Sequence, residues 1–185
     1  MKVIFLDRDG VINKYPGDDE YVKSWEEFKF LPRAKQALKK LADSGFKIFI
    51  VSNQSGVSKG AYSKKNLDLI TKNMLRELNS GDIQITGVYY CTHRQEDHCF
   101  CRKPKSGLIN MAVEDLKKEC RRIELGKSYF IGDSMVDIQT GKAAGLKTIL
   151  VFSGKEKIRN KRNWMPLPDY TAKDIRAAVD LVLKN

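Results

Sequence analysis

Residues 3–10 read VIFLDRDG. An unbroken apolar run, Val3-Ile4-Phe5-Leu6, stops abruptly at Asp7, Arg8, Asp9 and Gly10. The run reads as a strand over Lys2 to Leu6. The acidic cluster is where that strand leaves the sheet. The same pattern recurs along the chain and decides the fold: an apolar strand, a polar signature, then a helix.

Pro32 opens a helix with Ala34, Ala37, Leu38 and Leu41 on one face, and Gly45 closes it. Phe46 to Val51 is a second strand. Ser63 caps a helix that turns Leu67, Ile70, Met74, Leu75 and Leu78 inward. Thr86 to Tyr90 is a third strand. A helix from about Gly107 to Cys120 places Leu108, Met111, Ala112 and Leu116 inward. Tyr129 to Ile131 is a fourth strand, followed by a short helix around Asp137 to Ala144 that Gly145 ends. Thr148 to Phe152 is a fifth strand. Thr171 caps a last helix bearing Ile175, Val179 and Val182. Strands alternating with helices predict an α/β, Rossmann-like fold, its sheet mainly parallel with helices on both faces. No repeat, low-complexity tract or linker divides the chain, so residues 1–185 are expected to form one domain.

Three core strands end in polar signatures: Asp7-Arg8-Asp9-Gly10, Ser52-Asn53-Gln54-Ser55-Gly56 and Gly132-Asp133-Ser134. In open parallel sheets, ligands bind beyond the carboxyl ends of the strands. Asp7, Asp9, Ser52 and Asp133 should therefore meet in one crevice. Carboxylates gathered there repel one another unless a cation binds, and oxygen ligands suit a hard ion such as Mg2+. Each signature alone could be an ordinary Asp- or Asn-capped turn. Three at successive strand ends argue for a site.

Residues 91–104 read CTHRQEDHCFCRKP. The spacing C-x-H-x5-C-x-C lets Cys91 and His93 face one ion from one limb while Cys99 and Cys101 close on it from the other. Four such ligands make a closed tetrahedral zinc site, which is structural because no position is left open for chemistry. His98 should point away as a bystander or substitute ligand. Cys120 stands apart, a leftover buried thiol in a helical stretch.

The chain is 42% hydrophobic and 31% charged, a globular composition, and carries a formal charge of +11. That charge favours anionic partners without choosing among them. Part of it lies in GKEKIRNKRNW, residues 154–164, which reads as a solvated basic loop. The first apolar run is too short for a signal peptide, and no stretch approaches membrane-spanning length. A cytoplasmic location and no membrane partner are expected.

Phe5-Leu6-Asp7-Arg8-Asp9-Gly10 resembles the first motif, hhhDxDG, of the haloacid dehalogenase-like (HAD) phosphatases. Ser52, Lys103 and Gly132-Asp133-Ser134-Met135-Val136-Asp137 match the second, third and fourth motifs, in order. The resemblance implies two-step phosphoryl transfer. Asp7 would be the nucleophile and Asp9 the acid and base. Mg2+ would be held by Asp7, the backbone carbonyl of Asp9, and Asp133. Ser52 and Lys103 would bind the phosphoryl oxygens. Asp137 would orient Lys103 or a metal-bound water, or serve only as an acid at a helix N-terminus. The cysteine loop running into Arg102-Lys103-Pro104 is similar to that of the branch containing histidinol-phosphate and heptose-bisphosphate phosphatases. Within it, a stand-alone chain of this size most resembles the heptose 1,7-bisphosphate 7-phosphatases of nucleotide-heptose synthesis.

That resemblance implies a capless enzyme, because no segment is long enough for a cap domain. Its partner would be a phosphorylated sugar, its cofactors Mg2+ and structural Zn2+, and it would act as a monomer. Asn53, Arg102 and the flap residues Asp18, Asp19 and Tyr21 would contact substrate, Arg102 at the retained phosphate. The flap, KYPGDDE at residues 14–20, is longer and more acidic than the family pattern. It would suit sugar hydroxyls or a substrate amine, so histidinol phosphate stays open. A nucleic-acid 3′-phosphatase, raised by the charge, is the least expected of the three, and a zinc-stabilised binding module is the alternative outside enzymes.

Overall fold

Six strands and five helices alternate along the chain in a computed structural model that describes residues 1–118 and 123–184. They are β1 (Val3–Leu6), α1 (Ala34–Asp43), β2 (Lys47–Asn53), α2 (Lys64–Asn79), β3 (Ile85–Cys91), α3 (Gly107–Lys118), β4 (Tyr129–Gly132), α4 (Met135–Ala143), β5 (Lys147–Val151), β6 (Tyr170–Ala172) and α5 (Ile175–Lys184). The sheet order is β3-β2-β1-β4-β5-β6, and every pairing is parallel. β1 is therefore central, with β2 on one side and β4 on the other.

Strand period decides which helix packs where. Successive side chains point to opposite faces. Ile4 and Leu6 join one core with Ile48, Ile50 and Ile131, covered by α1, α2 and α5. Val3 and Phe5 join another with Phe49 and Phe130, covered by α3. Ile138 of α4 meets Leu150 and Trp164 in a smaller cluster. The apolar run that stops at Asp7 is thus buried on both sides, and all four residues are inaccessible to water. Removing a ring as large as Phe5 from such a site costs about 3–5 kcal/mol.

Several sequence expectations change. A sixth strand, Tyr170–Ala172, is present, and Thr171 belongs to it rather than capping α5. Asp174 is the cap instead, its carboxylate accepting from Ala177 N–H at 2.9 Å. Met111 faces outward, 42% exposed, and Ile109 is buried in its place. α4 begins at Met135, earlier than Asp137, with Ser134 at its N-cap. The basic segment is not a free loop throughout: Trp164 is buried at its end, stacked 6.0 Å from Phe152. Leu75 is only half-buried. Cys120 lies outside the described residues.

Among the described residues no cap domain interrupts the fold: residues 8–33 lead directly into α1, and residues 54–63 into α2. Nor is any described helix long and apolar enough to cross a membrane.

Candidate active site

Asp7 stands at the carboxyl end of β1, the central strand. Its N–H still donates to Ile131 O of β4 at 3.1 Å, so the position of Asp7 is fixed by the last rung of the sheet. Ser52 arrives from β2, Asp133 from the end of β4, and Lys103 from the loop after β3. All four border one cleft of about 380 Å3, together with Asp9, Asn53, Arg102, Asp19 and Tyr21.

Lys103 is buried, and its ammonium lies 3.1 Å from Asp7 Oδ1 and 2.6 Å from Asp137 Oδ1. Its Nζ also donates to Val51 O at 3.1 Å. Burial alone would pull its pKa down, but the carboxylates of Asp137 and Asp7 outweigh burial and hold it above its ordinary value. Asp137 has both roles the sequence left open. One oxygen takes Lys103; the other accepts from Ser134 N–H at 3.1 Å and Ser134 Oγ at 2.7 Å, closing the N-terminus of α4.

Desolvation raises the Asp7 pKa to about 6; Lys103 opposes it, and Asp137 and Asp9 add to it. Burial likewise raises Asp133 well above the ordinary value, with Asp137 and Asp7 adding repulsion. Acceptor oxygens of Asp7, Asp133 and Asp137 lie within 4.8 Å of one another. Asp137 is engaged at both oxygens, which leaves Asp7 and Asp133 as the pair for a hard cation. Backbone closes round that pair. A Cβ at Gly10 (φ +81°) would stand 2.2 Å from Asp133 Oδ2, and one at Gly154 would stand 1.9 Å from it. Lys155 N–H donates to the same oxygen at 2.7 Å. The donor set, crowded oxygen and no sulfur or nitrogen, fits Mg2+.

The cysteine loop brings Cys91, His93, Cys99 and Cys101 together. Cys91 Sγ and Cys101 Sγ each lie 3.6 Å from Cys99 Sγ, and 3.6 and 3.4 Å from His93 Nδ1. Zn–S bonds of about 2.3 Å at the tetrahedral angle require sulfur edges of about 3.8 Å, so the cluster is already close to the right size. The thiols differ without metal. Burial pushes Cys91 up to about 12. Burial also opposes ionisation of Cys99, but hydrogen bonds from the Arg102 N–H and its neighbour thiols outweigh it and bring Cys99 down to about 7. His98 is exposed and outside the cluster.

This loop aims Arg102. The Arg102 guanidinium donates to His93 O at 3.1 Å, so a residue of the cysteine cluster also supports the cation at the cleft. Arg94 ties the other limb to the loop after β2 by donating to Ser58 O at 3.0 Å.

The expected substrate contacts divide. Asp19, Tyr21 and Arg102 border the cleft; Asp18 does not. Asp18 instead accepts from Tyr15 Oη at 2.7 Å and pairs with Lys155 at 2.9 Å. Asn53 borders the cleft, yet its amide is engaged with the backbone of Lys103. Sequence reasoning missed Arg8, Asn13 and Gln54, which surround the Asp9 carboxylate, and Lys59, which joins the cleft beside Tyr21. The Arg8 side chain is fully buried; its place between two aspartates was the only hint.

Comparison with known proteins agrees with this geometry. The family model described as polynucleotide kinase 3 phosphatase matches residues 2–145. A D-glycero-D-manno-heptose-1,7-bisphosphate 7-phosphatase of Chlorobaculum tepidum is 34% identical over 96% of this chain and 92% of its own. A D-glycero-beta-D-manno-heptose-1,7-bisphosphate 7-phosphatase of Haemophilus influenzae is 37% identical over 83% of each chain. The crystal structure of D,D-heptose 1,7-bisphosphate phosphatase from B. bronchiseptica, complexed with magnesium and phosphate, superposes with a TM-score of 0.85 and 30% identity, covering 100% of this chain and 99% of that one. With its four motifs gathered at the carboxyl end of one sheet, the chain belongs to the HAD-type phosphatases, in the family of the heptose-1,7-bisphosphate 7-phosphatases.

Proposed function

We propose that this chain is a Mg2+-dependent phosphatase that removes the 7-phosphate of D-glycero-D-manno-heptose 1,7-bisphosphate on the way to nucleotide-activated heptose for surface polysaccharide. One observation carries the site assignment: Asp7, Ser52, Lys103 and Asp133, from four separate segments, border a single cleft at the central strand. The names of the full-length relatives support the substrate.

In this reading Asp7 attacks phosphorus, and the bond to the leaving oxygen breaks as Asp9 delivers a proton to it. Asp9 then takes a proton from water, whose oxygen displaces Asp7 and frees inorganic phosphate. Lys103 and the Ser52 hydroxyl hold the equatorial oxygens, where charge concentrates in the transition state. Mg2+ bound at Asp7 and Asp133 supplies positive charge to the incoming phosphate. Arg102 takes the retained phosphate; Asp19 and Tyr21 bound the sugar. Zinc held by Cys91, His93, Cys99 and Cys101 would be structural, because four protein ligands leave no position for chemistry. The chain acts as one domain, and no membrane partner enters this reading.

The family model and the charge of +11 keep a nucleic-acid 3′-phosphatase as a second reading. Both are tested by phosphate release with Mg2+ from α- and β-heptose bisphosphate, histidinol phosphate and a 3′-phosphorylated oligonucleotide. The highest kcat/KM should fall to a heptose bisphosphate and vanish in Asp7→Asn. A higher value for either other substrate would overturn the assignment.

A further inference from the structure

The Asp9 carboxylate rests in a nest of donors. Its Oδ1 accepts from Arg8 Nε at 3.2 Å, Arg8 Nη2 at 3.0 Å and Asn13 Nδ2 at 2.7 Å. Its Oδ2 accepts from Arg8 Nη2 at 3.0 Å and Gln54 Nε2 at 2.9 Å. Arg8 and Asn13 lie in the same turn as Asp9. Gln54 comes from the far side, 45 residues on, and is 2% exposed.

The amide of Gln54 reaches two groups of the site at once. Nε2 donates to Asp9 Oδ2 and to Ser52 Oγ at 3.2 Å. Because Ser52 Oγ accepts that bond, its own proton is left for another acceptor, and Ser52 borders the same cleft as Asp7. Chemistry fixes which end of the amide faces Asp9. In its ionised state Asp9 only accepts, so the NH2 end meets it and Oε1 turns away. Oε1 there accepts from Tyr62 Oη at 2.5 Å. Tyr62 is 6% exposed, and burial raises its pKa, so it stays a protonated donor.

Tyr62 links this line to the substrate side. Its ring lies 6.1 Å from that of Tyr21, which borders the cleft. The two rings meet over Gly56, where a Cβ would stand 2.4 Å from the Tyr62 ring and 2.7 Å from the Tyr21 ring. Flap, Tyr62, Gln54 and Asp9 are therefore in unbroken contact.

We propose that Gln54 is the positioning residue for the general acid Asp9, aligning it together with the Ser52 hydroxyl, and that Tyr62 holds the Gln54 amide in its working orientation. The inference rests on the phosphatase reading with Asp9 as acid. It assigns a role to two residues that do not touch the reacting atoms, and it extends the influence of the flap to proton delivery.

Leaving-group dependence tests it. An alkyl phosphate needs its leaving oxygen protonated; p-nitrophenyl phosphate leaves as a stable phenolate and does not. kcat/KM reports the step up to loss of the first product, so the later role of Asp9 as base does not enter. Tyr62→Phe, which deletes one hydroxyl, and Gln54→Met are compared with wild type on heptose bisphosphate and p-nitrophenyl phosphate. The alkyl-to-aryl ratio of kcat/KM should fall at least tenfold in Gln54→Met and at least threefold in Tyr62→Phe. Asp9→Asn sets the limit of the effect. Equal losses on both substrates, or an unchanged ratio in Tyr62→Phe, would overturn the inference. Wild type inactive on both would instead overturn the phosphatase reading.

Discussion

Asn53 grips the backbone of Lys103 with both ends of its amide: Nδ2 donates to Lys103 O, Oδ1 accepts from Lys103 N–H, each at 3.1 Å. The residue thus holds Lys103, proposed to bind the phosphoryl group, in place from β2. Asn53→Ala should lower kcat about tenfold, or about 1.4 kcal/mol, with KM changed less than twofold. Steady-state kinetics on heptose bisphosphate decide it. A rise in KM at constant kcat would return Asn53 to the role of direct substrate ligand.

Lys103 and Asp137 form a buried ion pair at 2.6 Å. Removing Asp137 leaves the buried Lys103 ammonium with Asp7 as its one remaining carboxylate partner among the described residues. Asp137→Ala should therefore cost about 3–5 kcal/mol of unfolding free energy, including the lost cap on α4. Asp137→Asn, which can still accept from Ser134, should cost less. Urea unfolding of both variants measures this; equal destabilisation would show that the charge of the pair, not the cap, dominates.

Asp7 links stability to pH in the metal-free protein. Its folded pKa, about 6, lies above the unfolded carboxylate value of about 3.9. The folded state therefore holds this proton more tightly. The associated stability is complete below about pH 4 and is lost as pH rises through 6. Asp7→Asn removes the loss, so in chelator it should exceed wild type by roughly 1–3 kcal/mol at pH 8 and match it near pH 4. Mg2+ should narrow the gap at pH 8. Thermal melts at both pH values suffice, and a wild type more stable at pH 8 would contradict the sign.

The cysteine cluster should act through Arg102. If the cluster holds zinc, as proposed, stripping it with excess Mg2+ restored should speed hydrogen exchange across residues 91–105 and leave β1 and β4 protected. KM for the bisphosphate should rise more than kcat falls, because Arg102 loses its anchor at His93 O. Protection unchanged alongside abolished turnover would make the metal catalytic.

The catalytic strand ends were legible because each is local: an apolar run ending in polar residues needs no tertiary knowledge. β6 was not legible. It has three residues on the sheet edge, and Thr171 reads equally well as a helix cap. The inward face of α3 is ambiguous at Met111, because LINMAV over residues 108–113 is almost wholly apolar and its period cannot choose a side. Gln54 and Asn53 stand in a recognisable motif, yet the partners that give them their place in the site, Asp9 and Lys103, are 45 and 50 residues away, which no spacing rule reaches. Asp18 looks like a substrate contact because the flap is acidic as a whole. In the fold Asp19 borders the cleft, while Asp18 pairs with Lys155.

The lack of a cap domain among the described residues sets the competition for the phosphorylated enzyme. Asp7 keeps 13% of its side-chain surface exposed in a cleft that opens to bulk solvent. On the proposed mechanism, the phosphoryl group on Asp7 would meet water far more often than a second sugar. Hydrolysis would win over transfer by sheer abundance of acceptor, so this architecture commits the chain to be a phosphatase rather than a mutase.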